Sequence, residues 1–237
     1  MDGLKIVQIP VLHNSRNTLM TDSLIEKVKD IAPNVIFLTG DIIDREMTDV
    51  TAAKDVIEKL TWIAPVYYVT GNHEARTGEY YALSAKMRSL GVKELKDEAI
   101  TKRFHGDHIV ILGLEDPMGS KARGTTEKAD TQKRLSSIAF DHNEYSVLLS
   151  HRPELLDVYA AEGVDLVFAG HAHGGLIRLP FIGGIFAPHQ GFFPEYSGGE
   201  YQKDSTTMIV SRGVGNSGCT FRINNTPEIV VVTLHRQ

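Results

Sequence analysis

Six residues of this chain are of types that bind divalent transition metals, and they sit in similar places: His13, Asp41, Asn72, His151, His171 and His173. Each follows a short apolar run. Leu12-His13-Asn14 comes after LKIVQI (4–9), and Gly40-Asp41-Ile42-Ile43-Asp44 after VIFL (35–38). Gly71-Asn72-His73-Glu74 follows PVYYV (65–69), and Ser150-His151-Arg152-Pro153 follows YSVLL (145–149). Gly170-His171-Ala172-His173-Gly174-Gly175 follows VDLVFA (164–169). Imidazole with carboxylate suits Mn, Fe, Zn or Co, whereas all-oxygen sets suit Mg or Ca. One carboxylate can bridge two cations, and Asp41 is the obvious bridge. Two ions about 3.5–4 Å apart would clamp a phosphate and generate a hydroxide nucleophile near neutral pH.

Each motif alone has a plain structural reading. His13 is a loop histidine, and His151 is a residue leading into a helix. Gly-Asp and Asn-His are ordinary turn chemistry. The pair of histidines flanked by glycines at 170–175 has few structural reasons to exist. All five motifs following buried runs makes coincidence a poor account. His105, His108, His142 and His235 lack this context, and His189 stays undecided.

The elements that must position these residues are legible from periodicity. The apolar runs are short enough for buried strands. Helical spacing covers Leu24, Ile25, Val28 and Ile31, with Thr21 or Asp22 as N-cap and Pro33 as terminator. It recurs over Val50–Leu60, Tyr80–Leu90 and Thr131–Phe140, and Pro153 opens a further helix. Ala99–Phe104 and His108–Leu112 form a strand pair around His105-Gly106-Asp107. Gly174–Ser205 reads as a long ordered loop with short strands. Met208–Val210 and Glu228–Leu234 are closing strands. Alternating strands and helices predict an α/β layered domain spanning 1–237, with a second sheet in the later half. In such sheets ligands bind beyond the carboxyl ends of the strands, so the five loops should converge on one rim.

The composition narrows the function. The chain has 237 residues, 42% hydrophobic and 23% charged, with a net charge of −5. It can bury a large core. It has no basic stripe, so no nucleic-acid partner is expected. Cys219 is the only cysteine, which excludes an intramolecular disulfide. No apolar run is long enough to span a bilayer, and no secretion signal is read.

GDIID at 40–44, GNHE at 71–74, SHRP at 150–153 and GHAHGG at 170–175, in that order, resemble the calcineurin-like metallophosphoesterases. With PVYYVTGNHE at 65–74, Leu179-Pro180 and Ser211-Arg212-Gly213, the pattern is similar to a bacterial branch often found behind a membrane anchor or export signal. The resemblance runs from about Leu4 to the C-terminus. It implies a four-layer α-β-β-α sandwich and two divalent transition metals, manganese favoured. His13, Asp41 and His173 would hold one ion. Asp41, Asn72, His151 and His171 would hold the other. His73 would donate to a phosphate oxygen or the leaving group, with Glu74 orienting its ring. Asp44 is either a similar support or a turn carboxylate. Asn72 and Arg152 would stabilise phosphoryl charge. The implied reaction is attack by metal-bound hydroxide on a phosphodiester or pyrophosphate. The substrate would be a small phosphoester, lipid- or nucleotide-linked. Any membrane association would run through a segment absent from this chain.

The first motif departs from the family's Asp-x-His: here it is Val11-Leu12-His13. Valine has no lone pair, so the first ion loses a charged ligand. The site is then mononuclear, dinuclear with one weak position, or catalytically degraded. Weak or selective occupancy of the first position is the working expectation. The degraded case is a relative that binds metal or a phospholigand without turnover. Phe181, Phe186, Phe192, Phe193, Tyr196 and Tyr201 crowd the long loop. They either pack it across a sheet edge or wall a substrate pocket.

Overall fold

The structure, a computed structural model, describes residues 2–10, 18–44, 50–104, 106–215 and 222–236. Val11, His13, His105 and Cys219 lie outside the described residues.

The first half builds one sheet. Its elements are β1 (Leu4–Gln8), α1 (Thr18–Ile31), β2 (Val35–Thr39), α2 (Val50–Thr61), β3 (Val66–Val69), α3 (Tyr80–Ser89) and β4 (Lys93–Glu94). The second half opens with β5 (Glu98–Phe104), β6 (Asp107–Gly113), α4 (Glu127–Leu135), β7 (Tyr145–Leu149), α5 (Leu156–Ala161) and β8 (Leu166–Ala169). Four short strands follow: β9 (Arg178–Leu179), β10 (Gly183–Gly184), β11 (Phe186–Ala187) and β12 (Gly191–Phe192). The chain closes with β13 (Gly199–Lys203), β14 (Thr206–Val210) and β15 (Val230–Leu234). One sheet has the order β15-β1-β2-β3-β4, the other β13-β14-β8-β7-β6-β5. Strands β1 to β4 run parallel to one another, as do β6, β7, β8 and β14, and the flanking strands β15, β13 and β5 are antiparallel.

Period-2 alternation explains the stacking. Ile6, Val35 and Phe37 face the other sheet and meet Ile109, Ile111, Val147, Leu149, Leu166 and Phe168. The Phe37 and Phe168 rings touch edge to face, their centroids 5.3 Å apart. The residues between them point outward. Val7, Ile36 and Leu38 pack under Leu24, Val28, Val56, Ile57, Leu83 and Met87 of α1, α2 and α3. Val110, Leu112, Leu148 and Val167 pack under Leu135, Leu156 and Tyr159 of α4 and α5. The result is the expected α-β-β-α order. No described helix is long and apolar enough to cross a membrane.

The bounds of two helices differ from the expectation. Helix α1 begins at Thr18, so Thr21 and Asp22 lie inside it rather than capping it. Leu19 and Met20 are good helix formers, and that propensity extends the helix beyond its apolar stripe. Helix α4 starts at Glu127, because the Thr126 hydroxyl accepts from the Ala129 N–H at 3.1 Å. It stops at Leu135, where the Ser136 and Ser137 hydroxyls donate to the Gln132 and Arg134 carbonyls.

Candidate metal centre

Four parallel strands deliver the site, two from each sheet. Asp41 follows β2, Asn72 and His73 follow β3, His151 and Arg152 follow β7, and His171 and His173 follow β8. Gln8 at the end of β1 ties the two sheets together just beneath them. Its carboxamide nitrogen donates to Thr39 Oγ1 at 2.9 Å and to the Ala169 carbonyl at 2.8 Å.

Local backbone shape turns the ligands inward. Asp41, His171 and His173 have φ of 54°, 64° and 49°. Left-handed backbone is costly outside glycine and concentrates at functional sites. Asp41 reaches this shape because Gly40 and Gly71 let the two loops touch. A Cβ on Gly71 would fall 2.2 Å from Asp41 Oδ1, and one on Gly40 would fall 2.6 Å from His151 Nδ1.

Buried side chains meet at the centre. His151 Nδ1 lies 2.8 Å from the Thr39 carbonyl, which only accepts, so this nitrogen carries the proton in the neutral ring. Nε2 therefore presents a lone pair. It faces Asp41 Oδ2 at 3.1 Å, Asn72 Oδ1 at 3.2 Å and His171 Nδ1 at 3.1 Å. One proton cannot serve two oxygens and two ring nitrogens. A divalent cation serves all four, so these residues fit a metal. Without one, burial would lower the His151 pKa, but the Asp41 carboxylate outweighs it and pushes the value up to about 9. Burial, with the Arg152 and His151 charges behind it, holds His171 well below the usual histidine value, so its lone pair is available.

The remaining expected residues fall into place less uniformly. His13 lies outside the described residues. His173 is buried, and its carbonyl accepts from Asn225 Nδ2 at 2.7 Å. His73 is nearly buried, and its backbone N–H donates to Asp41 Oδ1 at 2.9 Å.

Two expectations need correction. The carboxylate placed beside the His73 ring is Asp44, with Nδ1 and Oδ2 3.6 Å apart. Glu74 instead turns into the backbone. Oε2 accepts from Asp41 N and Gly71 N at 2.8 Å each, and Oε1 from Ile42 N at 2.6 Å and Ile43 N at 3.1 Å. It thus clamps the Asp41 loop to the Gly71 loop. Burial and the Asp41 charge push it up to about 7 despite those donors. Glu74→Gln would leave two of the four N–H groups facing an amide NH2. Each orphaned buried donor costs about 1–3 kcal/mol, so a lower unfolding temperature is expected. An unchanged melting curve would refute the clamp.

Arg152, expected to contact substrate, is fully buried. Its Nε and Nη2 donate to Asp116 at 2.6 and 3.0 Å, and Nη1 to Glu154 at 3.3 Å. It sits beneath the ligands because Asp116, in the loop after β6, pulls it inward. Sequence reasoning missed Asp116, although a carboxylate just after a buried strand is the signal that identified Asp41. It also left His189 undecided. His189 Nδ1 lies 2.8 Å from His171 Nε2.

Two stacked mixed sheets that gather histidine, aspartate and asparagine at their strand ends define a metal-binding α/β protein. The chain belongs to the calcineurin-like phosphoesterase family, whose pattern it matches over residues 12–175. It is 32% identical to the uncharacterized metallophosphoesterase YkuE of Bacillus subtilis, over 98% of this chain and 79% of that one. It is 26% identical to the phosphodiesterase YaeI of Escherichia coli, over 97% and 82%. The solved structure of phosphopantetheinyl hydrolase PptH from Mycobacterium tuberculosis superposes with a TM-score of 0.55, covering 91% of this chain and 90% of that one. At 14% identity that likeness concerns the fold alone. The family implies divalent metal ions, and Asp41, His151 and His171 stand where they can bind one.

Proposed function

We propose that this protein hydrolyses a phosphodiester or pyrophosphate bond with divalent transition metals, manganese favoured. The observation that carries the reading is the convergence of four ligand-type atoms, with His151 Nε2 lying 3.1–3.2 Å from Asp41 Oδ2, Asn72 Oδ1 and His171 Nδ1. Bound there, the ions would lower the pKa of water and neutralise phosphoryl charge. His73 stands at the rim of that set and protonates the departing oxygen, with Asp44 holding its ring. Asp41 fixes the His73 backbone as well as serving as a ligand. His13 and His173 would serve the first position, where the motif has Val11 in place of a carboxylate. The diester preference draws support from the phosphodiesterase YaeI.

The long loop supports a substrate with an apolar part. Phe181, Ile182, Phe192 and Phe193 are exposed on it. A lipid- or nucleotide-linked phosphoester, met at a membrane surface in the lipid case, suits that wall. The second reading rests on Val11: a relative that binds metal or a phospholigand but turns nothing over.

Hydrolysis of bis(p-nitrophenyl) phosphate separates the two. Turnover should require Mn²⁺ and disappear with chelator. His73→Ala should lower it by about 10²-fold or more, the scale of general acid catalysis, with the bound metal retained. Metal binding without turnover, followed by recovery in Val11→Asp, would favour the second reading.

A further inference from the structure

His171 presents two ring nitrogens; the inner site uses Nδ1, and ligation at Nε2 as well would release the remaining ring proton to solvent and leave an imidazolate between the two ions. This Nε2 faces a second group of ligand-type side chains. One atom each from Glu154, His171 and His189 lies within 4.8 Å of the other two. We propose that these three residues form an outer position for a divalent transition metal, on the side of His171 away from Asp41. The proposal rests on the reading that His171 already serves the inner site.

Three observations converge. First, Glu154 is only half satisfied. Its Oε1 accepts from Arg152 Nη1 at 3.3 Å, whereas Oε2 is buried with no hydrogen-bond partner among the described residues. A buried carboxylate oxygen without a donor is costly, and a cation would satisfy it. Second, the local charge leaves room for a dication. Asp116, Glu154 and Glu127 come within 2.6, 3.3 and 3.7 Å of Arg152. Three carboxylates against one guanidinium leave two negative charges. Third, the two rings already meet: His189 Nδ1 lies 2.8 Å from His171 Nε2, while its Nε2 lies 4.0 Å from Glu127 Oε1 on the other side.

Arg152 Nη1 also approaches His171 Nε2, at 3.4 Å. A cation would displace that weak contact while Nε and Nη2 stay on Asp116. Two imidazoles and one carboxylate select Zn, Mn, Co or Fe over Mg or Ca. Three protein ligands leave the rest of the shell open to water or a phosphate oxygen. The His189 side chain is about one-third exposed, which gives an entry path. A chain whose first motif has lost its carboxylate at Val11 thus keeps a three-ligand set elsewhere on the same rim.

The test is equilibrium dialysis of the purified chain against Co²⁺, with bound metal counted by atomic emission and its coordination followed in the visible spectrum. Glu154→Gln, which preserves shape, and His189→Ala should each bind one equivalent fewer than wild type and keep the rest. Asn72→Ala marks the inner position. Circular dichroism confirms that each variant is folded. Variants that bind as much Co²⁺ as wild type would overturn the outer position, and a deficit in Asn72→Ala alone would leave the inner reading standing. Loss of every equivalent in His189→Ala would overturn it too, assigning His189 to steadying His171. Wild-type protein that binds no Co²⁺ would remove both readings.

Discussion

Asp41→Asn should reduce Mn²⁺-dependent hydrolysis by at least about 10³-fold, since losing a mere outer partner of a ligand already costs about 10–100-fold. The substitution keeps the size of the side chain and tolerates a φ of 54°. What it removes is charge. Asp41 Oδ2 is the only carboxylate oxygen placed beside His151 Nε2 among the described contacts, at 3.1 Å. Bound manganese should fall together with turnover. A second consequence appears in metal-free protein. His151 has its pKa raised to about 9 in the fold, from 6.5. A histidine raised in this way stabilises the fold fully below pH 6.5, and that contribution is lost as pH rises through 9. Chelated wild type should therefore lose stability across that window, whereas Asp41→Asn should lose less. Wild-type turnover in the variant would remove Asp41 from the metal centre.

Arg152→Met should destabilise the protein by about 3–5 kcal/mol, the cost of breaking a buried ion pair. Both Arg152 and Asp116 have fully buried side chains. Asp116 also accepts from the Met118 N–H at 2.9 Å, which holds the carboxylate in place after the guanidinium is gone. Its charge then loses its paired guanidinium. For a chain of this size the melting temperature should drop by about 6–20 °C. Replacing Asp116 by leucine in the same protein should return much of the loss, because a well-packed apolar pair substitutes for a buried ion pair at little cost. If Arg152→Met instead melted like wild type and only raised KM, Arg152 would be a substrate contact after all.

Much of this protein could be read from its sequence for a physical reason. Strand burial imposes period 2, and helix packing imposes period 3.6. Both are local, so Val35–Leu38, Tyr145–Leu149 and the Val50–Leu60 helix declare themselves. Ligand chemistry is local as well. A histidine or aspartate after a buried strand marks the rim of an α/β sheet, which is why Asp41, Asn72, His151 and His171 were named from sequence. Helix starts were less legible, since a cap such as Thr126 wins by a single hydrogen bond. What only the tertiary structure decided are the partners that reach across the two sheets. Glu74 adjoins His73 in sequence, yet it turns to four backbone N–H groups, because the Gly40 and Gly71 loops touch and bury it. Arg152 follows a ligand, yet Asp116 from another strand draws it inward. His189 comes eighteen residues after His171, and only the folding back of the loop between them brings the two rings to 2.8 Å. Residue type and spacing carry the chemistry of each strand end. Which strand ends meet, and which charges they bury in meeting, depends on packing between segments far apart in the chain.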